Sequence, residues 1–439
     1  MQVGFIFCAL ICMIFLWHYH GDFINLILLM LFYVIVFLVI TSFLFEAFLE
    51  YLNSKIRSAE LPDELTGIYD EDKYRKSIEY EKVKQRFTLL SGMFSLILVL
   101  AMLFLGGFAV VDEISRYYSS NPVIIALLFF GIIMFAADIL HIPFDWYGTF
   151  VIEERFGFNK STPFIFFTDK IKGWLLGIII GGGLLALITW FYYQTTNWFW
   201  VYALLLVSAF MVFMNLFYSS LIVPLFNKQT PLEDGELRDS ISSMSRHAGF
   251  RLDDIFVIDG SKRSTKANAY FAGLGRKKRI VLFDTLISDL SVSEIVGVLA
   301  HEIGHYKKKH IISGMIVSVI ITAITLYLLS VMVSNPELSS ALGASQASFH
   351  VGLVAFGILY SPVSAIFGLF TNWLSRKNEF EADRFAAEHH HPEYLAEALK
   401  KLSVKNLSNL QPHPLYVFVH YSHPPLLKRL DALKKLDHK

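Results

Sequence analysis

Polar residues leave long gaps in this chain. Seven stretches stay apolar for about the 20 residues a helix needs to cross a hydrocarbon core about 30 Å thick. They are Phe23–Phe48, Leu89–Val111, Val123–Leu140, Trp174–Tyr193, Trp198–Phe217, Ile311–Val333 and Phe349–Leu374. An eighth run, Val3–Trp17, is shorter and has no Lys or Arg ahead of it, so it fits neither a signal peptide nor a comfortable span. Between the fifth and sixth runs the pattern changes. Leu232–His247 reads as a short helix, Asp254–Ile258 as a strand, and Asn268–Ala272 with Arg279–Phe283 as a hairpin turning through Gly273 and Gly275. A longer helix follows. Ser291 and Glu294 form a capping box at its start, and Lys307–Lys309 place positive charge in its last turn.

Charge gives the spans an orientation. Seven crossings put 49–88, 141–173, 218–310 and 375–439 on one side, and those segments hold every Lys and Arg of the 38 in the chain except Arg116. Basic loops stay in the cytoplasm, so the four long segments are expected there. The chain then divides into N-terminal membrane helices (1–217), a catalytic segment (218–310), two further spans (311–374) and a cytoplasmic C-terminal segment (375–439). Glu46 and Asp138 fall near span ends, where an acid is expected to snorkel or pair.

Composition agrees with this reading. Of 439 residues, 54% are apolar and 17% charged, with a mean hydropathy of +0.50. Lys plus Arg (38) balances Asp plus Glu (38), which excludes a nucleic-acid partner, since that requires surplus positive charge. Cys8 and Cys12 sit in an apolar run and read as small packing residues.

The chemistry lies in the capped helix, where His301, Glu302, Ile303, Gly304 and His305 form a His-Glu-x-x-His pattern. Residues four apart share a helix face, so both imidazoles can turn a nitrogen to one metal. Glu302, one position round, stays off the metal but within reach of a water that zinc acidifies to a pKa of about 7. The spacing encodes a hydrolase with one zinc ion. A catalytic zinc takes three protein ligands, and the run Ser375 to Asp383 offers the third. Glu379 and Asp383 share a face, which suits one carboxylate on the metal and one on a ligand histidine. Glu381 points about 200° away from Glu379, and spacing alone does not choose between the two.

Four motifs together resemble the type I CAAX prenyl protease family. They are His301–His305, the Ser-Arg-x-x-Glu-Phe-x-Ala-Asp run at 375–383, Asn-Ala-Tyr-Phe at 268–271 and Tyr-Ser-His-Pro-Pro-Leu at 421–426. Phe150–Thr162 and Arg279–Thr285 extend the likeness over most of the chain. The resemblance implies His301, His305 and Glu379 as zinc ligands, Glu302 as general base and Asp383 as the group orienting a ligand histidine. It further implies that Asn268, Ala269 and Tyr270 bind substrate as an edge strand. His423 would stabilise the oxyanion, and Arg429 would pair with a substrate's C-terminal carboxylate.

The expected fold is an all-α multi-pass membrane protein of seven or eight transmembrane helices, with a zincin-like cytoplasmic metalloprotease domain containing a small sheet. The expected function is a membrane-embedded zinc endopeptidase acting near the C-terminus of CAAX-type, prenylated peptides. Its setting would be the endoplasmic reticulum or a bacterial inner membrane, with the catalytic segments in the cytoplasm. The alternatives are a broad-specificity quality-control metalloprotease and, in another class, a transporter or channel with a structural zinc site.

Overall fold

The computed structural model describes residues 22–56, 60–61, 63–195, 198–250, 254–273 and 279–437. The Val3–Trp17 run, both cysteines and Gly275 lie outside these residues.

Each of the seven apolar stretches lies wholly or mostly within one long helix, and most of these helices run on into polar sequence. They span Asn25–Lys55, Glu71–Phe104, Pro122–Glu153, Pro163–Thr195, Phe199–Phe226, His310–Val333 and Phe349–His389. Local chemistry sets their starts. Asp70 caps the second helix through the Lys73 N–H, and Asn121 and Thr162 cap the third and fourth just before Pro122 and Pro163. Proline suits a first turn whose N–H would otherwise be unpaired.

The second apolar run is the one exception to continuity. Its helix stops at Phe104, and Gly106 turns the chain with φ 67° before a separate helix, Gly107–Tyr118. Hydropathy does not register such a break, because it costs no apolar residue. The short helix carries Arg116 against Asp112 (3.0 Å), and Asp112 also meets His350 Nε2 (2.6 Å) at the start of the last long helix. Both acids near span ends are paired. Asp138 accepts from Lys170 and Trp174, each at 2.8 Å, and Glu46 meets His420 at 3.1 Å.

Four strands form one small sheet: β1 (Gln229–Pro231), β2 (Asp254–Ile258), β3 (Ala269–Ala272) and β4 (Arg279–Phe283). Their order is β1-β2-β4-β3, with β2 and β4 parallel and the outer pairs antiparallel. Strand β4 lies in the middle and is correspondingly apolar, with Ile280, Val281 and Leu282 fully buried. Helix Glu236–His247 starts later than the sequence pattern suggests because Gly235 (φ 151°) ends the approach from β1. The core of this region joins the sheet to the capped helix through Ile295, Leu299, Ala300 and Ile303.

Candidate metal centre

The capped helix, Val292–Lys307, carries the His-Glu-x-x-His motif. The Ser291 side chain accepts from the Glu294 N–H while the Glu294 carboxylate accepts from the Ser291 N–H, which closes the expected capping box. Glu294 is 5% exposed and also holds Lys401 at 2.6 Å. Burial opposes its charge, yet these partners keep its carboxyl below the ordinary range.

The last long helix runs unbroken from Phe349 to His389, so Ser375–Asp383 is a rigid extension of a membrane helix. It crosses the motif helix at Gly304, where an added Cβ would lie 3.1 Å from Ala382 Cα, Ala382 O and Phe385 Cβ. This close approach delivers Glu379 to the histidines. His301 Nε2 and His305 Nε2 face each other at 3.1 Å. Glu379 places Oε2 3.5 Å from the first and Oε1 3.3 Å from the second. Glu379 is 3% exposed, and its Oε2 is a buried oxygen with no hydrogen-bond partner among the described residues.

The outer sides of these groups are held as well. His301 Nδ1 meets Asp383 Oδ1 at 2.8 Å, and Arg429 donates to both Asp383 oxygens from Nε (2.9 Å) and Nη2 (2.6 Å). Arg429 is 8% exposed, its fork is engaged by Asp383, and its Nη1 lies 3.4 Å from Glu379 Oε2. Burial works against a charged His301 ring, but Asp383 and Glu379 outweigh it and push its pKa up to about 9. A cation taking the Nε2 lone pair must therefore displace a proton.

His423 comes from the turn after helix Pro414–His420. Side chains of the last long helix anchor that turn: Asn372 donates to Val419 O (2.7 Å), and Arg376 donates to the carbonyls of Val417 and Tyr421. So held, His423 places Nε2 3.3 Å from Glu379 Oε1 while its side chain stays 65% exposed. Glu302 is half-buried, and its charge acts on Arg429. Glu381, left open against Glu379 by spacing, meets His310 Nε2 at 3.2 Å instead.

The Asn268–Tyr270 stretch lies at the sheet edge. Ala269 pairs with Leu282 and Tyr270 with Val281, and Phe271 packs 5.4 Å from Tyr306 of the motif helix. Asn268 is exposed, and its side chain accepts from the Ala269 N–H (2.9 Å). A clamp to the membrane helices fixes the start of this strand. Lys266 meets Glu153 at 2.7 Å and lies over the Phe158 ring at 4.4 Å, while Arg263 forks onto Asp169 at 2.8 and 2.9 Å. Asn372, Lys266 and His310 fall outside every motif, and the motifs that contain Gly304 and Arg376 give those two no role. Their value lies in cross-chain contacts that no local spacing encodes.

The residues fit a metal. Bonds of about 2.0–2.1 Å to a tetrahedral zinc put its donors roughly 3.3 Å apart; here the two imidazole Nε2 atoms lie 3.1 Å apart, and the Glu379 carboxylate reaches them with Oε1 at 3.3 Å from His305 and Oε2 at 3.5 Å from His301. Glu379 Oε2, buried without a hydrogen bond among the described residues and with Arg429 Nη1 only at 3.4 Å, is an oxygen that a cation would satisfy.

Comparison with known proteins agrees with this geometry. Residues 50–228 match the family model described as CAAX prenyl protease N-terminal, five membrane helices, and residues 231–437 match peptidase family M48. CAAX prenyl protease 1 of Saccharomyces cerevisiae is 35% identical over 91% of this chain and 94% of the relative. The Homo sapiens CAAX prenyl protease 1 homolog is 31% identical over 90% and 94%. The crystal structure of S. mikatae Ste24p superposes with a TM-score of 0.87 at 34% identity, covering 92% of this chain and 99% of that one. The chain therefore belongs to peptidase family M48, as an integral multi-pass membrane metallopeptidase.

Proposed function

We propose that the metal is zinc, held by His301, His305 and Glu379, and that the chain cuts prenylated CAAX-type peptides near their C-terminus. The observation that carries this reading is the convergence of His301, His305 and Glu379, whose ligand atoms lie within 4.8 Å of one another, with Glu302 next to His301 on the same helix. The substrate class is supported by the relatives named CAAX prenyl protease 1. Zinc, when bound, supplies Lewis acidity that polarises a carbonyl and acidifies water.

The remaining roles belong to side chains of this chain. Glu302 takes the proton of the attacking water and returns it to the leaving amine. His423, exposed on one side and 3.3 Å from Glu379 on the other, donates from Nε2 to the oxyanion. Asp383 accepts from His301 Nδ1–H and so keeps Nε2 free for the metal. Arg429 locks Asp383 in that position, and this contact supports a positioning role for it ahead of a carboxylate receptor. Strand β3 adds an extended peptide at its open edge, so main-chain bonds hold substrate without demanding a particular side chain.

Segments 218–310 and 375–439 form one catalytic body on the membrane helices, and the Lys and Arg distribution supports a cytoplasmic position for it. The endoplasmic reticulum or a bacterial inner membrane is the setting the reading carries. The test compares wild type with Glu302→Gln on a farnesylated and an unmodified CAAX peptide, with zinc measured in both proteins. Retained zinc with turnover reduced by roughly 10²–10⁴ is expected. Undiminished cleavage by Glu302→Gln refutes the mechanism. Equal rates on both peptides refute lipid-guided selection and favour a broad-specificity protease.

A further inference from the structure

We propose that His310 and Glu381 form a positioning chain that fixes ligand His305, and with it the metal, to the first turn of the next membrane helix. The inference rests on the zinc reading above and assigns two residues which that reading leaves without a task.

His305 turns Nε2 toward the donor cluster, 3.1 Å from His301 Nε2 and 3.3 Å from Glu379 Oε1. A ligand histidine needs a partner on its other nitrogen, which sets the tautomer and the ring angle. For His301 that partner is Asp383. For His305 it is a third imidazole, because His310 Nδ1 lies 3.1 Å from His305 Nδ1, with the rings 5.1 Å apart and crossed at 73°. Two facing ring nitrogens bond only if one carries the proton and the other a lone pair. His305 must offer Nε2 to the cation, so its proton sits on Nδ1, and His310 Nδ1 accepts. The His310 proton is then on Nε2, which faces Glu381 Oε2 at 3.2 Å. One assignment of protons satisfies all three groups, and it ends on a carboxylate.

The backbone is shaped for this contact. On a continuous helix, residues five apart point roughly 140° away from each other, so the rings of His305 and His310 would not meet. The motif helix instead ends at Lys307, and Lys309 takes φ 60°, a left-handed conformation that among the described non-glycine residues only Leu407 shares. The reversal brings His310 back beneath His305 as the first residue of the span His310–Val333, where it is buried. A side chain holding such a conformation does so only where its surroundings demand it. The same contact explains Glu381, which lies about 200° round the helix from Glu379 and is unable to face the metal itself. Its second oxygen has Lys377 at 3.9 Å and opens to solvent.

The two ligand histidines thus have separate supports, one inside the catalytic body and one at the membrane helix. The test measures zinc release from the detergent-purified full chain into excess chelator, which needs no substrate. His310→Ala should release zinc 10–100-fold faster, if the 10–100-fold loss of metal affinity typical when such outer partners are removed falls on the release rate. His310→Asn keeps an acceptor near the Nδ1 position and should restore most of the difference. Glu381→Ala should show a several-fold acceleration and Glu381→Gln almost none. Release from His310→Ala within twofold of wild type overturns the proposal. So does His310→Asn releasing as fast as His310→Ala, which would mark a packing role alone. Should His310→Ala fail to fold, equal release from Glu381→Ala and Glu381→Gln overturns it instead. A wild type without stoichiometric zinc removes both this inference and the reading beneath it. These differences in release, found with a wild type that cuts no CAAX peptide, support the chain and refute the cleavage proposed above.

Discussion

Gly304→Ala tests whether the metal site depends on how closely two helices approach. The added methyl would stand 3.1 Å from Ala382 Cα, Ala382 O and Phe385 Cβ, whereas ordinary contact begins at 3.4 Å. Two of these three atoms are backbone, so no rotamer change relieves the clash. The helices must separate, by about 0.3 Å, which exceeds the roughly ±0.2 Å within which metal–ligand distances are held. Ala382 lies three residues beyond Glu379 on the same rigid helix, so the carboxylate moves with it and away from His301 and His305. Overpacking of this kind costs about 1–3 kcal/mol, too little to unfold the chain. The visible effect should be on the metal: zinc affinity lower by roughly tenfold or more, with turnover lost at limiting zinc and partly regained at saturating zinc. Chelator competition and a thermal melt of the metal-free protein measure the two parts separately. Wild-type zinc affinity in Gly304→Ala would refute the claim that this crossing sets the donor geometry.

Three further outcomes follow from the same contacts. His423→Ala should keep its zinc and lose roughly 10²–10³ in kcat, and a variant that loses zinc in parallel would make His423 a ligand instead. Lys266→Met removes the 2.7 Å pair to Glu153 that anchors the start of β3, and should raise KM roughly fivefold, about 1 kcal/mol of a partly screened ion pair, with zinc content unchanged. A KM equal to that of wild type counts against an edge-strand role. Glu294→Gln keeps the capping hydrogen bond and should lower the melting temperature at pH 7 through loss of the ion pair with Lys401, about 1 kcal/mol. Its folded carboxyl titrates below the ordinary 4.5, so this contribution is present above pH 4.5 and lost as pH falls through the depressed value. The gap between wild type and Glu294→Gln should therefore close in acid, and a gap independent of pH would refute the assignment.

Much of this protein was legible before any fold was known. Length and hydropathy determine the seven spans, because in lipid every backbone group must be satisfied within its own helix, whatever the neighbours do. The capping box at Ser291 and Glu294 and the shared face of His301 and His305 follow from 3.6 residues per turn, and all of them stand in the structure as spacing requires. Sequence also narrowed the third ligand to two glutamates on one helix. Spacing left both open and the family resemblance pointed to Glu379; the tertiary structure adds the packing, in which Gly304 lets the helices close on each other so that Glu379 meets the histidines while Glu381 is carried round to His310. The break at Gly106, the anchoring of the His423 turn by Arg376 and the return of His310 beneath His305 were equally invisible along the chain. Periodicity is a property of neighbours in sequence and survives in any fold, whereas contacts such as His310 to Glu381, 71 residues apart, or Asp112 to His350, 238 apart, exist only once packing has brought distant helices to within a bond's reach.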